Sequence, residues 1–162
     1  MNCHVCSAGQ LLVIRVKPNG EDYMYMFTKF PETSKPSSDD PSDIITIPVD
    51  SVTPEDVRVL YCLNYLSPTM VTLGNNTLRD HFVGVDVIKD GSNLCLKIRD
   101  DSKEYLTQMV LLYSNNNNDV VALAFKSDDG GKLYYVTSQG AGQPLVIDST
   151  IDPPYIFLLT KK

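Results

Sequence analysis

Turn-forming residues interrupt this chain repeatedly between short runs, a pattern that suits strands joined by hairpins and leaves little room for helices. Pro18-Asn19-Gly20 is the first such break. Gly74-Asn75-Asn76, Lys89-Asp90-Gly91, Asn115 to Asn118, Asp128 to Gly131, Gly140 to Gly142 and Asp152 to Pro154 follow. Each holds residues that tolerate positive φ or fix a turn. Between the breaks lie short apolar or alternating runs: Leu11 to Val16, Tyr23 to Phe27, Ile44 to Val49, Val57 to Asn64, Met70 to Leu73 and Phe82 to Ile88. Six more come after them: Asn93 to Ile98, Leu106 to Tyr113, Val120 to Lys126, Leu133 to Thr137, Pro144 to Ile147 and Tyr155 to Thr160. Within the second run Tyr23, Tyr25 and Phe27 fall on one face, and Met24 and Met26 on the other. With Asn19-Gly20 before it, that run reads as half of a hairpin. Thr53-Pro54-Glu55-Asp56 suits the opening of one helical turn, soon overridden by the β-branched run from Val57.

About twelve short strands at hairpin spacing mean a sandwich or a barrel. Internal repetition favours one choice. Gly91-Ser92-Asn93-Leu94-Cys95-Leu96 and Gly130-Gly131-Lys132-Leu133-Tyr134-Tyr135 share a Gly-x-x-Leu-x-apolar pattern, which Asn19 to Tyr25 echoes loosely. Three copies of strand–turn–strand suggest a β-trefoil of about twelve antiparallel strands. The alternative is that any all-β chain yields such echoes by chance. The 162 residues fit one domain, with an irregular N-terminus (1–9) and a long Pro/Ser-rich loop (31–43).

Charge narrows the partners. The net charge is −6 and the basic residues are scattered, whereas a nucleic-acid surface calls for a basic stripe. No run approaches the roughly 20 apolar residues that span a bilayer. Met1 to Cys6 lacks the basic start and apolar stretch of a secretory signal, which leaves either a cytosolic protein or a missing leader. Cys3, Cys6, Cys62 and Cys95 are sparse for a disulfide scaffold, so free thiols are the expectation, with Cys62 and Cys95 as small buried apolar residues.

Catalytic chemistry is hard to assemble from these residues. There are two histidines, His4 and His81, and a serine or cysteine nucleophile needs a basic partner held by a third group. His81 reads as a polar surface residue. Cys3-His4-Val5-Cys6 has the spacing of half a zinc site or a redox dithiol, without a second pair to complete four ligands. Asp39-Asp40, Asp100-Asp101 and Asp128-Asp129 are adjacent pairs within turns, not carboxylates facing one another across a cleft, and no spaced calcium pattern accompanies them. Gly140-Ala141-Gly142 has no helix behind it to hold phosphate. Asn75-Asn76-Thr77 is a glycosylation sequon of use only in the secretory pathway. The absence of tryptophan weakens a lectin reading. The expectation is a binding protein and not an enzyme, with no metal and no cofactor.

One resemblance gives this expectation content. Ala124-Phe125-Lys126-Ser127, then Leu133-Tyr134-Tyr135-Val136-Thr137-Ser138-Gln139, then Gln143-Pro144-Leu145-Val146 resemble the C-terminal strands of the interleukin-1 family of cytokines. Val83-Gly84-Val85-Asp86-Val87 and Asn93-Leu94-Cys95-Leu96 resemble two strands that precede them. The match covers Phe82 to Phe157. The interval from Leu106 to Phe125 is shorter than in the family, which implies that one strand is trimmed or fused. The resemblance implies a monomeric β-trefoil, released without a signal peptide from the cytoplasm. Outside the cell it would bind a cell-surface immunoglobulin-domain receptor of the interleukin-1 receptor type, as an inflammatory cytokine or an antagonist. It implies receptor contacts in the turn of Arg99, Asp100, Asp101 and Lys103. The competing reading is a trefoil protease inhibitor that presents Pro31 to Asp43 or Asp148-Ser149-Thr150 as an exposed loop.

Overall fold

The structure, a computed structural model, describes residues 10–18, 20–29, 42–53, 55–78, 81–91, 93–100, 108–116, 119–126, 132–149 and 152–161. Twelve strands and one helical turn make up its regular structure. In chain order they are β1 (Gln10–Val16), β2 (Met24–Thr28), β3 (Ser42–Ile47), a 3-10 turn (Val57–Val59), β4 (Leu60–Tyr65), β5 (Met70–Leu78) and β6 (His81–Asp90). There follow β7 (Asn93–Asp100), β8 (Met109–Tyr113), β9 (Val120–Lys126), β10 (Leu133–Thr137), β11 (Val146–Asp148) and β12 (Phe157–Lys161). The all-β expectation holds, and every pairing is antiparallel. The expected irregular N-terminus and most of the Pro/Ser loop lie outside the described residues, although Ser42 and Asp43 of that loop already belong to β3.

Pairing closes the sheet into a barrel. β1 pairs with β4, β4 with β5, β5 with β8, β8 with β9, β9 with β12 and β12 with β1, so six strands form a ring. The other six make ribbons, β2–β3, β6–β7 and β10–β11. Each ribbon joins the ring through its first strand, by β1–β2, β5–β6 and β9–β10. The second strands meet one another: β7 pairs with β3 and with β11. Between β3 and β11 there is an Ile45–Pro144 bridge, and the Leu145 amide donates to the Ile44 carbonyl at 2.9 Å. Every kind of pairing thus recurs at an interval of four strands. The Gly-x-x-Leu echo is in step for β2 and β10, but the Gly91 copy leads into β7, which stands where β3 and β11 stand.

Alternation explains the core. Ring strands turn every second side chain inward, and Ile14, Tyr61, Leu73, Leu111, Leu123 and Phe157 meet in one fully buried cluster. Met26 joins it from β2, while Tyr25 and Phe27 on the opposite face pack with Val13, Ile45 and Val59 in a second cluster. Both faces of β2 are therefore covered, which the alternation of Tyr, Met and Phe could not reveal. Two threonines are buried with their hydroxyls satisfied: Thr28 Oγ1 donates to the Arg58 carbonyl at 3.1 Å, and Thr46 Oγ1 to the Gly140 carbonyl at 2.8 Å.

Several expected boundaries move. The strand expected from Val57 begins at Leu60, because Val57–Val59 take the helical turn. That turn starts later than Thr53-Pro54 suggests. Asp56 caps it, accepting the Arg58 backbone N–H at 2.9 Å. Gly74-Asn75-Asn76, expected as a break, lies inside β5, where the register shifts between Asn75 and Leu78. The irregularity falls after Asn75 and lets the strand run on to Leu78. Pro48 ends β3 sooner than expected, since it has no N–H to pair. In the interval before Phe125 the described strands are β8 and β9, the latter carrying Phe125 itself.

Candidate functional site

The residues singled out for receptor contact divide. Arg99 and Asp100 are the last two residues of β7, opposite Gly84 and Val83 of β6. They belong to a strand end, not to a turn. Asp101 and Lys103 lie outside the described residues, as do Asp39-Asp40, Asp128-Asp129, Cys3, His4 and Cys6. His81 opens β6 opposite Leu78. The sequon residue Asn75 sits in β5, paired with Val83. Gly140 and Gly142, with φ of 111° and 76°, hold the β10–β11 link against β3. There the Gly142 amide donates to the Thr46 carbonyl at 2.7 Å.

Among the described residues an open groove of about 770 Å³ lies beside the β1–β2 turn. The Pro18–Glu21 turn forms one wall, closed by a 3.0 Å hydrogen bond from the Glu21 amide to the Pro18 carbonyl. The turn after β3 forms the other, with the Ser51 amide donating to the Pro48 carbonyl at 3.0 Å. Gly20 turns the chain at φ 77°, a value open to glycine without strain. Lys17, Glu21, Asp22, Tyr23, Val49 and Asp50 are among the lining residues, and Lys17 Nζ lies 5.6 Å from the centre of the Tyr23 ring. Three carboxylates against one ammonium make the groove acidic. Its described lining residues include no Ser, Thr, Cys or His.

A second surface feature escaped the sequence. Tyr65, at the end of β4, is 47% exposed, the next residue Leu66 is 49% exposed, and Tyr113, at the end of β8, is 37% exposed. Tyr65 and Tyr113 share a side-chain hydrogen bond. Partial burial and that bond push the Tyr65 hydroxyl up to about 12. Sequence alternation marks both tyrosines as strand residues but cannot bring β4 and β8 to the same end of the ring. Large exposed aromatics beside an aliphatic residue are the usual material of protein contact.

Among the described residues no three His, Cys, Asp or Glu side chains are grouped to hold a metal ion. No helix among them is long and apolar enough to cross a membrane. Cysteine chemistry departs from the expectation of free thiols. Cys62 is disulfide-bonded, while Cys95 is a buried, reduced thiol. No protein-family model and no curated protein sequence matches the chain.

Proposed function

We propose that this chain is a β-trefoil ligand of interleukin-1 type. In this reading it acts outside the cell on an immunoglobulin-domain receptor, as an agonist or an antagonist, and does not act as an enzyme. One observation carries the reading: the pairing pattern that repeats every four strands, with a six-strand ring and three ribbons whose second strands meet. A trefoil needs that connectivity, and sandwiches, which keep two separate sheets, lack it.

The resemblance gains support from where its residues fall. Phe125 is buried on β9, Tyr135 and Val136 are buried on β10, and Pro144-Leu145 leads into β11 with Leu145 in the core. Phe125, Val136 and Leu145 join the main core cluster, while Tyr135 is buried in a separate cluster with Ala122 and Ala124. The disulfide at Cys62 supports an oxidising compartment, where such bonds persist. An acidic chain with aromatic surface residues suits a protein partner better than nucleic acid.

The test is direct binding of the purified chain to a set of immobilised interleukin-1-type receptor ectodomains, followed by a reporter-cell assay to separate activation from blockade. Saturable binding to one of them is the expected result. Silence across the set, with slow tight inhibition of a serine or cysteine protease, would hand the function to the inhibitor reading and its Asp148-Ser149-Thr150 or Pro31 to Asp43 loop.

A further inference from the structure

From Val59 to Leu78, and again from Tyr105 to Asn118, the chain holds no Asp, Glu, Lys or Arg, although charged residues make up 21% of it. The ring brings these distant stretches together, because β5 pairs with β4 on one side and with β8 on the other. The remaining ring strands each carry a charge: Arg15 on β1, Lys126 on β9 and Lys161 on β12. Burial does not account for the difference, since the uncharged sector reaches solvent. Tyr65 and Tyr113 keep the inward parity of Tyr61, Leu63, Met109 and Leu111, but they lie past the packed core, at the end of the ring. There they stand 47% and 37% exposed, with Leu66 at 49% and the Ser67–Thr69 turn exposed beside them. That turn is fastened on both sides. The Leu66 amide donates to the Met70 carbonyl at 2.8 Å, and the Leu111 amide donates to the Thr69 carbonyl at 2.8 Å. A surface already held in place loses little freedom when something docks on it.

We propose that this uncharged end of the ring is the docking face for a second copy of the chain, in a symmetric pair centred on Tyr65, Leu66 and Tyr113. Charge argues for that occupant. In a two-fold contact the same patch meets itself, so any charge within it meets its own like. At a net charge of −6 two copies repel in most orientations, over a reach of about 8 Å in physiological salt. Meeting through the sector without charges keeps the carboxylates of both chains out of the contact. A strongly basic or acidic partner would find nothing here to pair with. Loss of charge with retention of tyrosine is the composition of an interface centre, and tyrosine covers much area for little lost side-chain freedom. The pair departs from the monomer that the interleukin-1 resemblance implies, and it stands independently of the receptor reading.

The test is sedimentation velocity on the full chain, from micromolar concentrations upward. A reversible monomer–dimer equilibrium is expected. It should tighten as salt is raised, because salt screens the repulsion between two acidic chains while the contact itself holds no charge to screen. Leu66→Lys puts a lysine into a symmetric contact twice and should raise the dissociation constant roughly tenfold or more. Leu94→Lys, at 41% exposure on the β6–β7 ribbon, should leave it unchanged. Circular dichroism confirms that both variants are folded. A monomer at every concentration would overturn the proposal, and glycan-array binding abolished by Tyr65→Ala would then give the face to a neutral sugar. It would also fall to a dimer that does not tighten with salt, one indifferent to Leu66→Lys, or one that survives denaturation without reductant and so rests on a disulfide.

Discussion

Arg58 grips both carboxylate oxygens of Asp56, with Nε donating to Oδ1 at 3.0 Å and Nη2 to Oδ2 at 2.9 Å. The same guanidinium lies 4.9 Å from the centre of the Phe27 ring. Two residues apart in sequence, these groups fasten the 3-10 turn to β2, and the turn delivers Val59 into the second apolar cluster beside Phe27. A planar fork matches both the carboxylate and the ring face, and a lysine ammonium matches neither as well.

Arg58→Ala should therefore cost about 1–3 kcal/mol, from the charge-assisted hydrogen bonds and the cation–π contact together. Urea denaturation reads the loss. Arg58→Lys should recover only a small part of it.

Acid should loosen the same clasp. Hydrogen bonding from the Arg58 side chain holds the Asp56 carboxyl below its usual value of 3.8, against a smaller opposing effect of burial. A lowered folded value means that the stabilisation is complete above the unfolded value and disappears as pH falls through the folded one. Asp56→Asn should lower stability at neutral pH and flatten the acid limb of the stability curve. An unchanged acid limb would mean that another carboxyl governs it.

On the ribbons, Lys97 Nζ stands 2.9 Å from Asp43 Oδ1, joining residues that are register partners on β3 and β7. The lysine side chain is largely buried, so Lys97→Met should leave Asp43 poorly compensated and cost about 1–2 kcal/mol. Adding Asp43→Asn should restore part of the loss, because the pair couples. Thermal melts of the two single variants and the double variant close the cycle.

The Tyr65 hydroxyl should remain protonated until pH is near 12, its value raised by burial and by Tyr113. A raised folded value means that stability is intact below the ordinary tyrosine value near 10 and falls as pH climbs through the folded one. Ultraviolet titration of phenolate should show Tyr65 ionising late, along with the buried Tyr61, and Tyr113→Phe should move the Tyr65 step earlier.

Tyr61 is wholly buried in the ring, and its hydroxyl meets no hydrogen-bond partner among the described residues. A buried polar group left unmatched costs about 1–3 kcal/mol. Tyr61→Phe should thus be neutral or stabilising by about 1 kcal/mol, whereas Tyr61→Ala should cost about 3–5 kcal/mol. A marked loss in the phenylalanine variant would mean that the hydroxyl has a partner.

Local pattern alone determined that this chain is all-β and that its strands number about twelve, because alternation and turn chemistry act over a few residues at a time. It also marked Gly20 and Gly91 as turns, and both take positive φ. Only the tertiary structure decided which strand lies beside which. No local rule could foresee that Gly74 lies between Cys62 and Gly84 inside a strand, or that Asp56 and not Thr53 caps the helical turn. The same holds for the meeting of Tyr65 with Tyr113. Each depends on contacts between segments distant in sequence, and such contacts follow from how the ring closes.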